Sequence, residues 1–201
     1  MLGEIAARLA GGIILAVILV SGAITASQSR THRFVGVVLA IMSVGLQVEW
    51  LATRSSAIEA TYTAVLALFL LYTALVIFRH VLSFGPLFAD RVHAALSVYI
   101  LLALAWAFIY ALVEIVSPGS FSVAATSAHG QLRAQGAYLV GDMIHLSIAT
   151  LTSTGYGDIA PVSPFARSLS QLEQLVGVFY IAGGKADVMR TSLRHLPITS
   201  A

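Results

Sequence analysis

The chain is 201 residues long, 58% of them hydrophobic and 10% charged, and its mean hydropathy is +0.90. These values lie far outside the range of soluble domains and predict a membrane protein. The absence of cysteine excludes disulfides, thiolate metal sites and cysteine nucleophiles. The net charge of +2 is too small and too scattered to indicate a nucleic-acid surface, and the sequence carries no motif of an enzyme class.

A membrane-spanning helix needs roughly 20 mainly apolar residues to cross about 30 Å of hydrocarbon. Five stretches approach that length, at residues 5–25, 34–51, 61–78, 94–116 and 169–189. A sixth apolar stretch, residues 138–151, is too short to span and leads into glycines, which is typical of a re-entrant segment. Residues 117–137 are rich in Ser, Gly and Ala and predict an exposed loop. We therefore expect an all-α membrane protein with five transmembrane helices and one re-entrant helix.

The glycines after this short segment lie in a pattern that suits cation binding. A row of backbone carbonyls can replace the hydration shell of a cation at modest cost. Alternating Gly155-Tyr156-Gly157 permits the unusual dihedral angles that turn successive carbonyls toward one axis, while the tyrosine ring points back into protein. The preceding helix would end with its negative pole toward that axis, and Asp142 lies near its opposite pole.

Residues 147–161, Ser-Ile-Ala-Thr-Leu-Thr-Ser-Thr-Gly-Tyr-Gly-Asp-Ile-Ala-Pro, resemble the potassium-channel signature T-x-T-T-x-G-Y-G-D with a proline shortly after it. Residues 172–182 are similar to the inner helix of small prokaryotic potassium channels. The resemblance covers about residues 94–189. Two positions depart from the usual pattern: Ser153 replaces a threonine, and Thr154 replaces a valine or isoleucine.

The resemblance implies a potassium-channel pore architecture built by four chains, with outer helix, pore helix, filter and inner helix. It assigns the selectivity filter to seven residues, Thr152, Ser153, Thr154, Gly155, Tyr156, Gly157 and Asp158. Potassium would bind at Ser153, Thr154, Gly155 and Tyr156, and Gly177 would be the gating hinge. Counting from Gly177, the residues that line the pore would be Val178, Ile181, Lys185 and Met189.

In such channels the pore loop enters from outside, so the amino terminus would lie outside and the carboxyl terminus in the cytoplasm. The excess of Lys and Arg on the inner side agrees. This orientation favours a membrane helix over a signal peptide at residues 5–25, although Arg8 and residues 23–27, which resemble a cleavage site, fit the latter. It also places most acidic side chains at or near the outer face, namely Glu4, Glu49, Glu59, Glu114, Asp142, Asp158 and Glu173.

Three regions follow from this arrangement. Residues 1–93 would form a three-helix membrane region ending in an amphipathic linker at 79–93, broken at residues 85–86. Residues 94–189 would form the pore domain, and residues 190–201 a short cytoplasmic tail. No helix carries arginines at three-residue spacing, so a voltage sensor is not expected. His145 lies on the pore helix where relatives usually carry an aromatic residue, and its protonation would add charge beside the filter.

The expected function is passive, potassium-selective conduction by a homotetramer in the cell membrane, without a cofactor, a small-molecule substrate or a nucleic-acid partner. An alternative is a non-conducting or regulatory subunit that assembles with another channel, because four Lys185 ammonium groups around a pore would oppose potassium. A potassium-uptake transporter subunit is a weaker alternative, because such proteins carry four degenerate pore repeats and this chain has one.

Overall fold

The computed structural model describes residues 30–53, 55–83, 88–123 and 139–194. These residues form five helices and two short strands in chain order: α1 (Arg30–Thr53), α2 (Ser56–Ser83), α3 (Phe88–Val116), β1 (Phe121–Val123), α4 (Leu139–Leu151), β2 (Ile159–Pro161) and α5 (Pro164–Arg194). The mainly helical architecture predicted from composition is confirmed. The predicted helix at residues 5–25 and the break at residues 85–86 lie outside the described residues.

Helix α2 packs between α1 and α3. Its buried side chains form one apolar cluster with residues of both neighbours: Ala40, Leu66, Ala67, Phe69, Leu70, Ala105 and Phe108. Buried hydroxyls within this bundle donate to the carbonyl one turn earlier, as from Thr63 to Glu59 at 2.7 Å and from Thr73 to Phe69 at 2.9 Å. Because these hydroxyls are satisfied inside their own helix, they add no unpaired polar group to the apolar interface.

A second apolar cluster joins α3 to the remaining elements. It contains Trp106, Ala107, Tyr110, Ala111, Phe121, Met143, Leu146, Ile159 and Ala166. These residues come from α3, β1, α4, β2 and α5, so α4 is held against both α3 and α5. The cluster therefore sets the position of α4, and with it the point at which the next segment of the chain starts.

Within the described residues, two helical segments are long and apolar enough to cross a membrane, Ser56–Arg79 and His93–Val116. The apolar parts of two other helices are shorter, Phe34–Trp50 in α1 and Val140–Leu151 in α4. Helix α5 has the length to span but a more polar composition, because it contains Gln171, Glu173 and Gln174.

The expectation of an exposed loop at residues 117–137 is wrong at its start. Ser120 and Phe121 are buried, and β1 pairs antiparallel with β2, so that Ser122 lies opposite Ala160. The carboxylate of Glu114 accepts from the backbone N–H groups of Gly119 at 3.0 Å and Phe121 at 3.1 Å. This turn is therefore ordered by an acidic side chain of α3, while residues 124–137 of the expected loop lie outside the described part of the chain.

Candidate functional site

The segment that follows α4, residues 152–158, is called the signature loop here. It leaves the helix through a tight turn. The N–H of Ser153 donates to Thr150 O at 2.9 Å, and the N–H groups of Thr154 and Gly155 both donate to Ala149 O, at 2.8 and 3.2 Å. The last carbonyls of α4 thus accept hydrogen bonds from the loop. These bonds satisfy acceptors that have no partner within the helix at its carboxyl end.

Left-handed backbone recurs at every second residue of the signature loop. The φ angles are 58° at Ser153, 57° at Gly155 and 78° at Gly157, whereas Thr154 and Tyr156 between them have negative φ. Ser153 is the one non-glycine residue with positive φ in the described part of the chain. A methyl group built on Gly155 or Gly157 would meet no atom within 4 Å. Glycine is therefore needed here for its backbone conformation and not for space.

The hydroxyls of Thr152 and Thr154 form a hydrogen bond with each other. Thr152 Oγ1 donates to Ile148 O at 2.7 Å, and the two threonine hydroxyl oxygens lie 2.8 Å apart. Since the Thr152 proton is directed at Ile148, Thr154 donates to Thr152. The unusual polar residue at position 154 thus has a partner within the loop.

The outer end of the signature loop is tied back to α4 by a histidine. His145 Nε2 lies 3.2 and 3.0 Å from the two carboxylate oxygens of Asp158. Its ring stacks on Tyr156, with centroids 5.4 Å apart and planes inclined by 18°. Partial burial raises the pKa of Asp158, but the hydrogen bond and charge of His145 and nearby backbone N–H groups outweigh it, so the net pKa is lowered. Asp158 is consequently an anion held at the loop's end.

Gly177, the predicted hinge, packs against the end of α4. A methyl group at this position would overlap the carbonyl oxygen of Leu151 and lie 3.0 Å from its carbonyl carbon. The same Leu151 oxygen accepts a hydrogen bond of 3.0 Å from the hydroxyl of Tyr99 in α3. Helix α5 continues unbroken through Gly177. Close backbone approach is therefore the observed reason for glycine here, while the hinge role stays a prediction.

One turn after Gly177, Tyr180 links α5 to the first half of the chain. Its hydroxyl donates to Ala95 O at 2.6 Å, and its ring lies 5.5 Å from that of Tyr99 and 6.2 Å from that of Phe78. The end of α2 and the start of α3 are thereby connected to the carbonyl that precedes the signature loop.

Glu173 was expected at or near the outer face, and the structure shows where it lies within the chain. Its side chain is fully buried, and its carboxyl group contacts the hydroxyls of Tyr110 in α3 and Ser147 in α4. The orientation of α5 explains this burial, because Glu173 lies one turn before Gly177 on the face that packs against α4. Sequence reasoning missed this site, although an acidic residue within an apolar helix is itself a signal of function.

Two of the predicted pore-lining residues, Val178 and Ile181, are exposed in the single chain. The side chains of the other two, Lys185 and Met189, lie outside the described part of the structure. Apolar side chains of α5 exposed nearby include Leu172, Leu175 and Phe179. None of the described residues of the chain therefore covers this face of α5.

Residues 97–192 match the model of a protein family described as "Ion channel", a span of just under half of the chain. No curated protein and no solved structure was found to match this chain. The family match includes most of α3, the whole of α4, the signature loop and most of α5. With the two long apolar helices, it supports an ion-channel pore in a membrane protein, which is not an enzyme class.

Proposed function

We propose that this chain is a subunit of a potassium-selective channel and that potassium crosses it passively. The observation that carries the proposal is the recurrence of left-handed backbone at Ser153, Gly155 and Gly157. In an ordinary strand successive carbonyls point to opposite sides, whereas alternation of left- and right-handed residues brings them toward the same side. Such a strand offers the row of oxygens that a dehydrated cation needs.

In this proposal the residues that supply oxygens to potassium are Ser153, Thr154, Gly155 and Tyr156. The carboxyl end of α4 lies directly below them, where the helix dipole favours a cation. Asp158 adds a fixed negative charge at the outer end of the loop, which would concentrate cations there. No covalent chemistry is involved, because the ion only exchanges water for protein oxygens.

One chain contributes one such strand, so the pore requires several chains, and we propose four. The exposed apolar residues Leu172, Leu175 and Phe179 of α5 support an assembly, because they offer a surface on which a neighbouring chain could pack around the pore. Helix α4 has 13 residues and is about 20 Å long at 1.5 Å per residue, too short for about 30 Å of hydrocarbon. It would enter and leave the membrane from the outer side, with the carboxyl terminus in the cytoplasm.

Rubidium uptake into liposomes that contain the purified protein tests the proposal. Uptake should compete with potassium, be blocked by barium and change little with sodium. G155A should abolish uptake while the oligomer still forms, because alanine at a φ of 57° is strained although it meets no neighbour. G45A is the matched control, since Gly45 lies in helix α1 and also has no atom within 4 Å of an added methyl group.

Equal permeability of sodium and potassium would contradict potassium selectivity. Uptake by G155A equal to that of the unaltered protein would contradict the assignment of the signature loop as the ion path. Uptake lost in both G155A and G45A would show that the flux reports general damage to the protein, and would remove the support for the loop.

A further inference from the structure

The helices α3, α4 and α5 meet at the carboxyl group of Glu173, which is buried inside the protein. Tyr110 of α3 donates its hydroxyl proton to one carboxyl oxygen, Oε2. The other oxygen, Oε1, lies 2.5 Å from Ser147 Oγ of α4. Ser147 Oγ also lies 2.7 Å from the carbonyl oxygen of Ala103, in α3. The cluster therefore contains three oxygen–oxygen contacts at hydrogen-bond distance.

The number of protons decides the charge of this cluster. Tyr110 and Ser147 have one hydroxyl proton each, and the Ala103 carbonyl can only accept. With an ionised carboxylate, two protons would serve three contacts, and Ser147 would face two acceptors with a single proton. With a protonated carboxyl group, each contact holds one proton: Glu173 donates to Ser147, Ser147 donates to Ala103, and Tyr110 donates to Glu173.

The surroundings of Glu173 agree with a neutral group. No lysine, arginine or histidine among the described residues lies within ion-pair distance of its carboxyl group. Its side chain is fully buried, and α3 and α5 place it among apolar residues of the second cluster. A buried carboxylate without a cationic partner is strongly unfavourable, whereas a protonated one with all its hydrogen bonds is not.

The position of the cluster relates it to the signature loop. Ser147 lies one helical turn before Leu151 in α4, and Glu173 lies one turn before Gly177 in α5. The contacts Ser147–Glu173 and Leu151–Gly177 therefore run in the same order along both helices. The Ser147–Glu173 contact is a hydrogen bond, and the Leu151–Gly177 contact is close backbone packing. Together they fix α4 against α5 over its last turn, directly before the loop.

We propose that Glu173 is a protonated, neutral carboxylic acid, and that it acts as a positioning residue that joins α3, α4 and α5 behind the signature loop. Its effect on ion passage rests on the proposed function, whereas its protonation does not. Glutamine offers the same pattern of one donor toward Ser147 and one acceptor toward Tyr110. Leucine has a similar size and offers neither.

The experiment combines infrared spectroscopy with rubidium flux, on the assembled protein in liposomes at neutral pH. The unaltered protein should show the carbonyl-stretch band of a protonated carboxyl group, and E173Q should lose it. D142N is the spectroscopic control, because Asp142 is also buried and its carboxyl group would absorb in the same region. Flux through E173Q should stay within about twofold of the unaltered protein, whereas E173L should lose about tenfold or more because Ser147 and Tyr110 lose their partner.

Identical bands in the unaltered protein and E173Q would mean that Glu173 is ionised, and would overturn the proposal. A loss of flux in E173Q as large as that in E173L, or full flux in E173L, would overturn the positioning role. If the band disappears in E173Q while the unaltered protein carries no rubidium, the neutral carboxyl group stands and potassium conduction fails.

Discussion

Gly177 and Gly183 lie in the same helix but have different surroundings. A methyl group at Gly177 would overlap the Leu151 carbonyl, a backbone group that cannot rotate away, whereas one at Gly183 would meet nothing within 4 Å. We predict that G177A lowers the free energy of unfolding by roughly 1–3 kcal/mol per chain, because α5 must shift away from α4. G183A should be neutral or raise it by up to about 1 kcal/mol, through helix propensity.

Thermal unfolding of the two variants separates packing from hinge bending. If Gly177 is present only to let α5 bend, G177A should impair conduction while its melting temperature stays equal to or above that of the unaltered protein. A lowered melting temperature in G177A, with G183A unaffected, is expected from the contact with Leu151. Equal melting temperatures for both variants would contradict the packing explanation.

Asp158 makes the outer end of the signature loop sensitive to acid. Its pKa is lowered in the folded protein, with the His145 hydrogen bond and charge outweighing partial burial. A group with a lowered pKa stabilises the fold fully above its ordinary value, about 3.9 for aspartate, and this contribution disappears as pH falls through the lowered pKa. We predict that the unaltered protein exceeds D158N in melting temperature at neutral pH and that the difference shrinks in acid.

The measurement is the melting temperature of both proteins along the same pH series. D158N is the appropriate control because it retains an acceptor for His145 and every other carboxyl group of the chain. If the difference in melting temperature between the two proteins stays constant into the acid range, the charge of Asp158 does not stabilise the loop.

At the scale of elements, two tyrosines connect helices that are distant in sequence. Tyr99 donates to Leu151 and Tyr180 donates to Ala95, and the two rings lie 5.5 Å apart. We predict that Y99F and Y180F each lower the free energy of unfolding by about 1 kcal/mol, the typical net value of one hydrogen bond. Y99F should also reduce rubidium flux more than Y180F, because its partner carbonyl directly precedes the signature loop.

A double-mutant cycle measured by chemical or thermal unfolding tests whether these contacts act together. Since the rings touch, the loss in the double variant should differ from the sum of the single losses by at least about 0.5 kcal/mol. Strict additivity would mean that the two tyrosines are independent, and that α5 and α3 are not coupled through them.

The helices were predictable because each contains a long apolar stretch, or a shorter one that leads into glycines. The short stretch 138–151 was predicted as a separate helix, and α4 spans Leu139–Leu151. Length alone distinguished it from the spanning segments. The glycines at 155 and 157 were also predictable as unusual backbone, since few other roles require Gly-x-Gly directly after such a helix.

The features that sequence reasoning missed depend on packing between distant segments. The β1–β2 pair joins three-residue strands 38 positions apart, from Ser122 to Ala160, and strands this short carry no periodicity to detect. The burial of Glu173 was not predictable, because the rotation of α5 about its axis is set by Gly177 against Leu151. That close approach exists only in three dimensions.

At the scale of the whole molecule, the distribution of charge limits how the protein can respond to voltage. The long apolar helix α2 contains no charged residue between Glu59 and Arg79, and α3 contains none between Arg91 and Glu114. A charge that crosses the full field contributes about 2.3 kcal/mol per 100 mV, so steep voltage dependence needs several charges inside a mobile helix. Neither helix can supply them.

We therefore predict a conductance that changes with voltage by no more than about one elementary charge per channel, the amount that ion binding within the signature loop could itself produce. The measurement is the current–voltage relation in planar bilayers with equal potassium on both sides and without divalent cations, which removes rectification by block. A conductance curve that requires three or more gating charges would contradict this, because it would need charged residues to move through the membrane field in helices that carry none in their apolar spans.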